Sequence, residues 1–161
     1  MVGYAMQPHI GAVGTKLLYP DNTVQHAGII LGIGGIAQHC FIDNPRDDVG
    51  FYGRLSVPFN YSAVTAACLM VSKEKYLEVN GLEEDLQVAF NDVDFNLKLL
   101  KQGYYNICLN HVELYHHESK SRGDDTVDTS SANIADLYKN MIISKINGVI
   151  CYIMIDSIIL I

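Results

Sequence analysis

The stretch from Ser62 to Val71 (SAVTAACLMV) constrains the fold most, because it is almost entirely apolar. A strand with one face in water alternates apolar and polar side chains, and this run does not alternate. It therefore predicts a strand that is covered on both faces. Such a strand belongs to a domain with further layers of structure on both sides of its sheet.

The other elements follow from apolar spacing and from turn residues. Ser72 is placed to cap a short helix, and Asn91 to cap a longer one that Gly103 ends. The 10–19 strand is expected to form a hairpin with the next one. The predicted elements besides 62–71 are strands over 10–19 and 23–33, helices over 73–79 and 92–102, and short strands over 104–109 and 112–115.

Composition narrows the class of protein. The 161 residues fit one ordinary domain, and 49% apolar with 18% charged residues exclude a disordered chain. Eleven basic against 18 acidic residues give a net charge of −7, which argues against nucleic acid held on a broad basic face. No apolar run reaches the roughly 18 residues of a membrane span, and no signal peptide is visible. The expected location is the cytoplasm, with the inner face of the membrane as the alternative.

The end of the chain differs from the rest. Nine of the residues from Ile142 to Ile161 are isoleucine. A buried helix or strand and an exposed, aggregation-prone end both remain open. The four cysteines are far apart in the sequence, which predicts buried free thiols rather than a zinc or redox motif.

Three short motifs carry candidate chemistry. Gly32 to Ala37 fits the letters of a dinucleotide-binding pattern, but no helical period follows, so a glycine turn is the better interpretation. Asp92 and Asp94 lie where a helix begins, where acids complement the helix dipole. A general base held there is the functional alternative. His116 and His117 predict either one ligand of a metal site completed from elsewhere or plain surface.

Four segments, taken in order, resemble the C-terminal half of a family 2 glycosyltransferase, and most closely the bacterial rhamnosyltransferase-like enzymes of cell-surface polysaccharide synthesis. The resemblance extends roughly from Ile10 to Gly123. It implies a partial GT-A-like α/β fold, a mixed sheet with flanking helices. The segments are Gly11 to Gly28, Ser62 to Leu86, Phe90 to Tyr104 and Glu113 to Gly123.

The resemblance implies roles for individual residues. Asp92 corresponds to the general base that takes a proton from an acceptor hydroxyl in an inverting sugar transfer. His116, with His117 as the fallback, corresponds to a histidine that completes a divalent-metal or diphosphate site. The implied substrate-binding residues are Thr65, Glu84, Asp85, Asp94, Ser119, Ser121 and Arg122.

The same resemblance sets limits on this chain. The family's Asp-x-Asp metal motif would end just before residue 1, so the nucleotide-binding half is expected to be absent and the fragment inactive alone. Manganese or magnesium is then expected only with a complete donor site. Residues 1–135 would be the acceptor-and-base half, and 136–161 an apolar segment of uncertain role.

The implied partners are a nucleotide-sugar donor and a glycan or lipid-linked acceptor. Contact between copies through an uncovered apolar face is a further expectation. The alternative function is a non-catalytic module that binds carbohydrate or a partner protein.

Overall fold

The structure is a computed structural model, and it describes residues 1–32, 37–83 and 90–117. Within these ranges the chain forms three α-helices, seven β-strands and two 3₁₀ turns. The helices are α1 (Val2–Ala5), α2 (Lys73–Glu78) and α3 (Asn91–Lys101). The strands are β1 (Ile10–Leu18), β2 (Val24–His26), β3 (Ile29–Leu31), β4 (Ala37–His39), β5 (Pro58–Tyr61), β6 (Leu69–Met70) and β7 (Tyr105–Tyr115).

The main sheet is mixed. Its strands run in the order β2-β1-β7-β5, with β6 also paired to β1. Strands β1 and β7 are parallel, whereas β2 and β6 pair with β1, and β5 with β7, in antiparallel fashion. Strands β3 and β4 form a separate antiparallel hairpin. This architecture confirms the predicted α/β class with a mixed sheet and flanking helices.

Strand β1 is the strand that is covered on both faces, since all nine of its residues are buried. On one face Ala12 packs in a cluster with Phe95 and Leu99 of α3. On the other face Val13 packs in a cluster with Ala5 of α1. The fold therefore contains a strand that is covered on both faces, but that strand is β1 and not the 62–71 segment.

The predicted strand over 62–71 is wrong. Its centre is a 3₁₀ turn (Ala66–Cys68), and only Leu69–Met70 at its end pair as strand β6. The Thr65 hydroxyl accepts the Ala67 N–H at 3.4 Å and so caps the turn. Ala66 and Ala67 are exposed. Small apolar side chains do not require burial, and the threonine cap redirects the backbone.

Two other strand predictions differ in extent. The second predicted strand is interrupted at Gly28, whose φ is +111° and whose α-carbon lies against the Tyr61 ring. A side chain there would clash with the ring, so the chain bends and continues as the β3–β4 hairpin. The two short strands predicted over 104–115 are one continuous strand, β7.

The helices begin much as predicted, with one correction. Ser72 caps α2 by accepting the Lys75 N–H at 3.4 Å, as expected. For α3, however, the N-cap position is Phe90 with φ +63°, and Asn91 is the first helical residue. Asn91 instead exchanges two hydrogen bonds with the backbone of Glu83, of 2.9 and 3.1 Å. The competing backbone partner takes the side chain away from the cap.

Several predictions fall outside the described residues. They are those on residues 33–36 of the glycine pattern, on Cys151, and on the apolar end over 136–161. The boundary at residue 135 therefore stays a prediction. The described cysteines, Cys40, Cys68 and Cys108, are free thiols. Among the described residues, no helix has the length and apolar character needed to cross a membrane.

Candidate active site

Asp92 lies in the first turn of α3, where two backbone N–H groups hold its carboxylate. Oδ1 accepts from Val93 at 2.9 Å, and Oδ2 accepts from Ala66 at 3.1 Å. The second bond ties the helix to the 3₁₀ turn 26 residues earlier in the chain. The side chain is half-buried, so it is oriented and still reachable. A carboxylate fixed in this way can accept a proton from a hydroxyl placed beside it.

A buried asparagine one turn further along α3 fixes the distance between these two elements. Asn96 is fully buried; its Oδ1 accepts the Val64 N–H at 3.2 Å, and its Nδ2 donates to the Val64 carbonyl at 3.0 Å. The same Nδ2 lies 2.7 Å from the carbonyl of Asp92. The amide thus matches the peptide on both sides, as a neighbouring strand would. It holds the segment before Thr65 against the start of α3.

A polar cavity of about 340 Å³ lies next to this turn. Thr65 and Ala67, on either side of the residue that holds Asp92, line it together with His39 and His116. The volume is within the range of small-ligand sites. Two of the predicted site residues, Thr65 and His116, therefore share one cavity. Asp92 does not line it, but its hydrogen bond to Ala66 holds it next to the lining residues Thr65 and Ala67.

Two histidines in this cavity have defined tautomers. His116 places Nδ1 2.8 Å from Oε1 of Gln25, and His39 places Nδ1 3.2 Å from the Gln25 carbonyl. Both partner atoms are oxygens that accept, so each Nδ1 is the donor and Nε2 is the ring nitrogen left for a ligand. His117 is exposed and does not line the cavity. The structure thus separates the two candidates, with His116 at the site and His117 on the surface.

The third histidine of this group supports the cavity from behind. His26 is fully buried, and its Nε2 accepts N–H groups of Gly28 at 3.3 Å and Thr65 at 3.4 Å. Its ring lies edge-on to that of His39, with centroids 4.7 Å apart. Burial, and to a lesser degree His39, lowers the pKa of His26 to about 3. The ring is therefore neutral, as its role as an acceptor requires.

Sequence reasoning missed His26 and His39. His26 lies two residues after the buried Val24 in a short strand and so shares its face of the sheet. That position indicates a core residue and gives no sign of a site. His39 lies in a segment that the sequence predicts to be loop. The available signal was the number of histidines in a chain with few charged residues, and it does not say which of them meet.

Asp94, predicted to bind substrate, is paired within the protein. Its Oδ2 lies 2.9 Å from the Lys98 ammonium, which also lies 3.5 Å from Glu83. This i,i+4 pair at the helix start explains the residue without a ligand. Asp94 does not line the polar cavity. The remaining predicted substrate-binding residues, Glu84, Asp85, Ser119, Ser121 and Arg122, lie outside the described residues.

The predicted metal role fits the described residues only in part. In residues 1–32, 37–83 and 90–117, no three His, Cys, Asp or Glu side chains are grouped as a metal site requires. His116 has a lone pair on Nε2, which is the correct ligand chemistry, but one imidazole does not hold a divalent ion. A metal would need ligands from other parts of the protein.

A mixed α/β sheet with a polar cavity beside it is compatible with a partial Rossmann-like glycosyltransferase fold. Comparison with known proteins agrees in general terms, although no family model matches the chain. It is 39% identical over 134 residues to the O-antigen biosynthesis protein RfbC of Myxococcus xanthus. It is 27% identical over 75 residues to a Mycobacterium tuberculosis N-acetylglucosaminyl-diphospho-decaprenol L-rhamnosyltransferase.

A further relative is the uncharacterized protein y4gI of Sinorhizobium fredii, 48% identical over 126 residues. The matches to y4gI and RfbC cover 78% and 79% of this chain, but only 14% and 10% of those proteins. The rhamnosyltransferase match covers 47% of this chain and 24% of that protein. The names of two relatives thus support a glycosyltransferase family. The chain spans only a small part of the length of the relatives it matches.

Proposed function

We propose that this chain is the acceptor-and-base part of an inverting, family 2 glycosyltransferase of GT-A fold that acts in polysaccharide synthesis. The observation that carries the proposal is the Asp92 carboxylate, half-exposed and held between the start of α3 and the turn at Ala66. The names of the relatives support the class, and the polar cavity supplies a place for a substrate.

In the proposed reaction an acceptor hydroxyl binds beside Asp92. As its oxygen bonds to the anomeric carbon of the donor sugar, its proton passes to the carboxylate, and the bond to the nucleoside diphosphate breaks with its electron pair going to the phosphate oxygen. Attack from the opposite side inverts the anomeric centre. We expect Thr65 and His39, which line the polar cavity, to hydrogen-bond hydroxyl groups of the acceptor.

The leaving diphosphate needs compensation of its charge. A bound manganese or magnesium ion would supply that compensation, and His116 is the described residue whose Nε2 suits the ion. The donor is a nucleotide-sugar and the acceptor a glycan or lipid-linked sugar, so we place the reaction in the cytoplasm or at the inner face of the membrane.

The test uses a full-length relative, because transfer requires a donor-binding half. The matching segment of the Myxococcus xanthus RfbC protein is replaced by residues 1–135 of this chain, and O-antigen is assayed in a strain that lacks the native protein. We expect Asp92→Asn, which keeps the shape and can still accept one of the two backbone N–H groups, to lower product formation by about 10²–10⁴-fold. Asp47→Asn removes an exposed carboxylate elsewhere and serves as the matched control.

Equal product from the Asp92→Asn chimera and its parent would refute the base assignment. The non-catalytic alternative, a module that binds carbohydrate or a partner, predicts that this chain binds acceptor glycans and that the Asp92 variant still supports synthesis. Isothermal titration of the chain with a nucleotide-sugar and manganese adds a second criterion. Tight binding by this chain alone would mean a complete donor site, contrary to the proposed division.

A further inference from the structure

A second cavity, of about 460 Å³, adjoins the polar cavity. The two share Gln38, His39 and Ile42 as lining residues. The second cavity has an apolar part that includes Tyr61, and the guanidinium-bearing Arg54 belongs to its wall. We call it the Arg54 cavity.

Arg54 is held in place from both its ends. Its guanidinium carbon lies 4.3 Å from the centroid of the Phe59 ring, a cation–π contact that orients the planar group. Its carbonyl accepts a 2.8 Å hydrogen bond from Nδ2 of the fully buried Asn110. The next residue, Leu55, is 1% exposed and anchors the backbone. Stacking occupies a face of the guanidinium and leaves its N–H edges for a ligand.

The charge of Arg54 is not matched by a carboxylate. Within the described part of the chain, no Asp or Glu lies within ion-pair distance of it, and none lines its cavity. Among the other described cations, Lys16 and Arg46 both contact Glu113, and Lys98 contacts Asp94. The buried Lys75 is held by backbone carbonyls, whereas the Arg54 side chain lines a cavity.

The titratable groups of the cavity wall do not supply the missing negative charge. Burial raises the pKa of the Cys40 thiol to about 11, although Arg54 opposes the shift. Burial, with further contributions from the two nearby cysteines, raises the pKa of the Tyr61 hydroxyl to about 12. Both groups therefore stay neutral at neutral pH, and the cavity has a net positive charge from Arg54.

We propose that the Arg54 cavity binds an oxyanion group, a phosphate or a carboxylate, carried by the acceptor. The binding of an oxyanion is argued from the geometry and the charge of the cavity alone. The assignment of that oxyanion to the acceptor rests on the proposed function. The guanidinium fork matches two oxygens of such a group at once, which is the strongest form of this hydrogen bond. The apolar wall suits the ring or chain to which the oxyanion is attached.

The test is a binding measurement on the intact chain, with no sugar transfer involved. The arginine side chains of ¹⁵N-labelled protein are followed by NMR during titration with glucose 1-phosphate, methyl glucuronide and neutral methyl glucoside at constant ionic strength. We expect a saturable shift of the Arg54 Nε–H signal with one or both acids and none with the neutral sugar. The acid that binds more tightly identifies the source of the oxyanion.

Variants separate a site from a general charge effect. Arg54→Gln should weaken binding about tenfold or more, because a hydrogen bond to a charged group is worth about 1.5–3 kcal/mol. Arg54→Lys keeps the positive charge but loses the guanidinium fork, so its affinity should lie between those of the parent and Arg54→Gln. Lys73→Gln removes the same charge at an exposed position on α2 and should bind like the parent.

If the Arg54 Nε–H signal of the parent protein does not shift, or shifts without saturating, the proposal is overturned, whether or not the variants fold. So would equal weakening by Arg54→Gln and Lys73→Gln. If the oxyanion binds but the chimera with Asp92→Asn keeps its activity, the proposed base fails and this site stands. If the Asp92→Asn chimera loses activity and no acid binds, the proposed base is confirmed and the proposed oxyanion site fails.

Discussion

The neutral histidine behind the polar cavity makes the stability of this protein depend on pH in a way that one substitution should remove. His26 is fully buried, and its pKa is lowered from 6.5 to about 3, by burial first and by His39 second. Below pH 6.5 the unfolded chain binds a proton at this residue that the native protein does not. The free energy of unfolding therefore falls as the pH falls, down to about pH 3.

The size of the effect follows from the two pKa values. Well below pH 6.5 each pH unit removes about 1.4 kcal/mol, so between pH 7.5 and 4.5 the loss from His26 is about 2.7 kcal/mol. In His26→Gln the amide oxygen replaces Nε2 as acceptor for the Gly28 and Thr65 N–H groups, and no proton is taken up. The variant should be less stable than the parent at pH 7.5, because glutamine fills the site of the imidazole less well. The difference between the two free energies of unfolding should become about 2.7 kcal/mol smaller at pH 4.5.

Urea unfolding at pH 7.5, 6.0 and 4.5, followed by circular dichroism, measures this difference. The carboxylates of the two proteins are the same, so their contributions cancel in the comparison. His111→Gln, which removes an exposed imidazole, is the matched control for the substitution of a histidine. Parallel stability curves for the parent and His26→Gln would refute the reasoning, because they would mean that His26 takes up its proton in the native state.

Two further substitutions test the framework around Asp92. Asn96→Ala removes three buried hydrogen bonds and should lower the free energy of unfolding by about 2–4 kcal/mol in urea titrations, whereas Asn60→Ala, at an exposed strand position, should change it by less than about 0.5 kcal/mol. Gly14→Ala would place a Cβ 2.7 Å from that of Val64 and should cost about 1–3 kcal/mol by thermal unfolding. Gly3→Ala, with open space around it, is the control, and equal effects in either pair would contradict the packing described.

The local features of the fold could be predicted from the sequence. Strand β1, its hairpin with β2, the Ser72 cap of α2 and the end of α3 before Gly103 depend on residues near each other in the chain. The prediction of a strand over 62–71 is wrong because composition alone does not show where a threonine caps a turn. The predicted cap of α3 is wrong because Asn91 has a backbone partner, Glu83, eight residues away.

The sequence by itself determined the α/β class, the positions of β1, α2 and α3, and the place of Asp92 at the start of a helix. Tertiary structure decided what surrounds that aspartate: the N–H of Ala66 is 26 residues distant, and the Gln25 partner of His116 is 91 residues distant. Local spacing fixes which side chains share a helix face or a strand face. It does not fix which faces meet, so the two cavities and the position of Arg54 become visible only when the β3–β4 hairpin lies beside the main sheet.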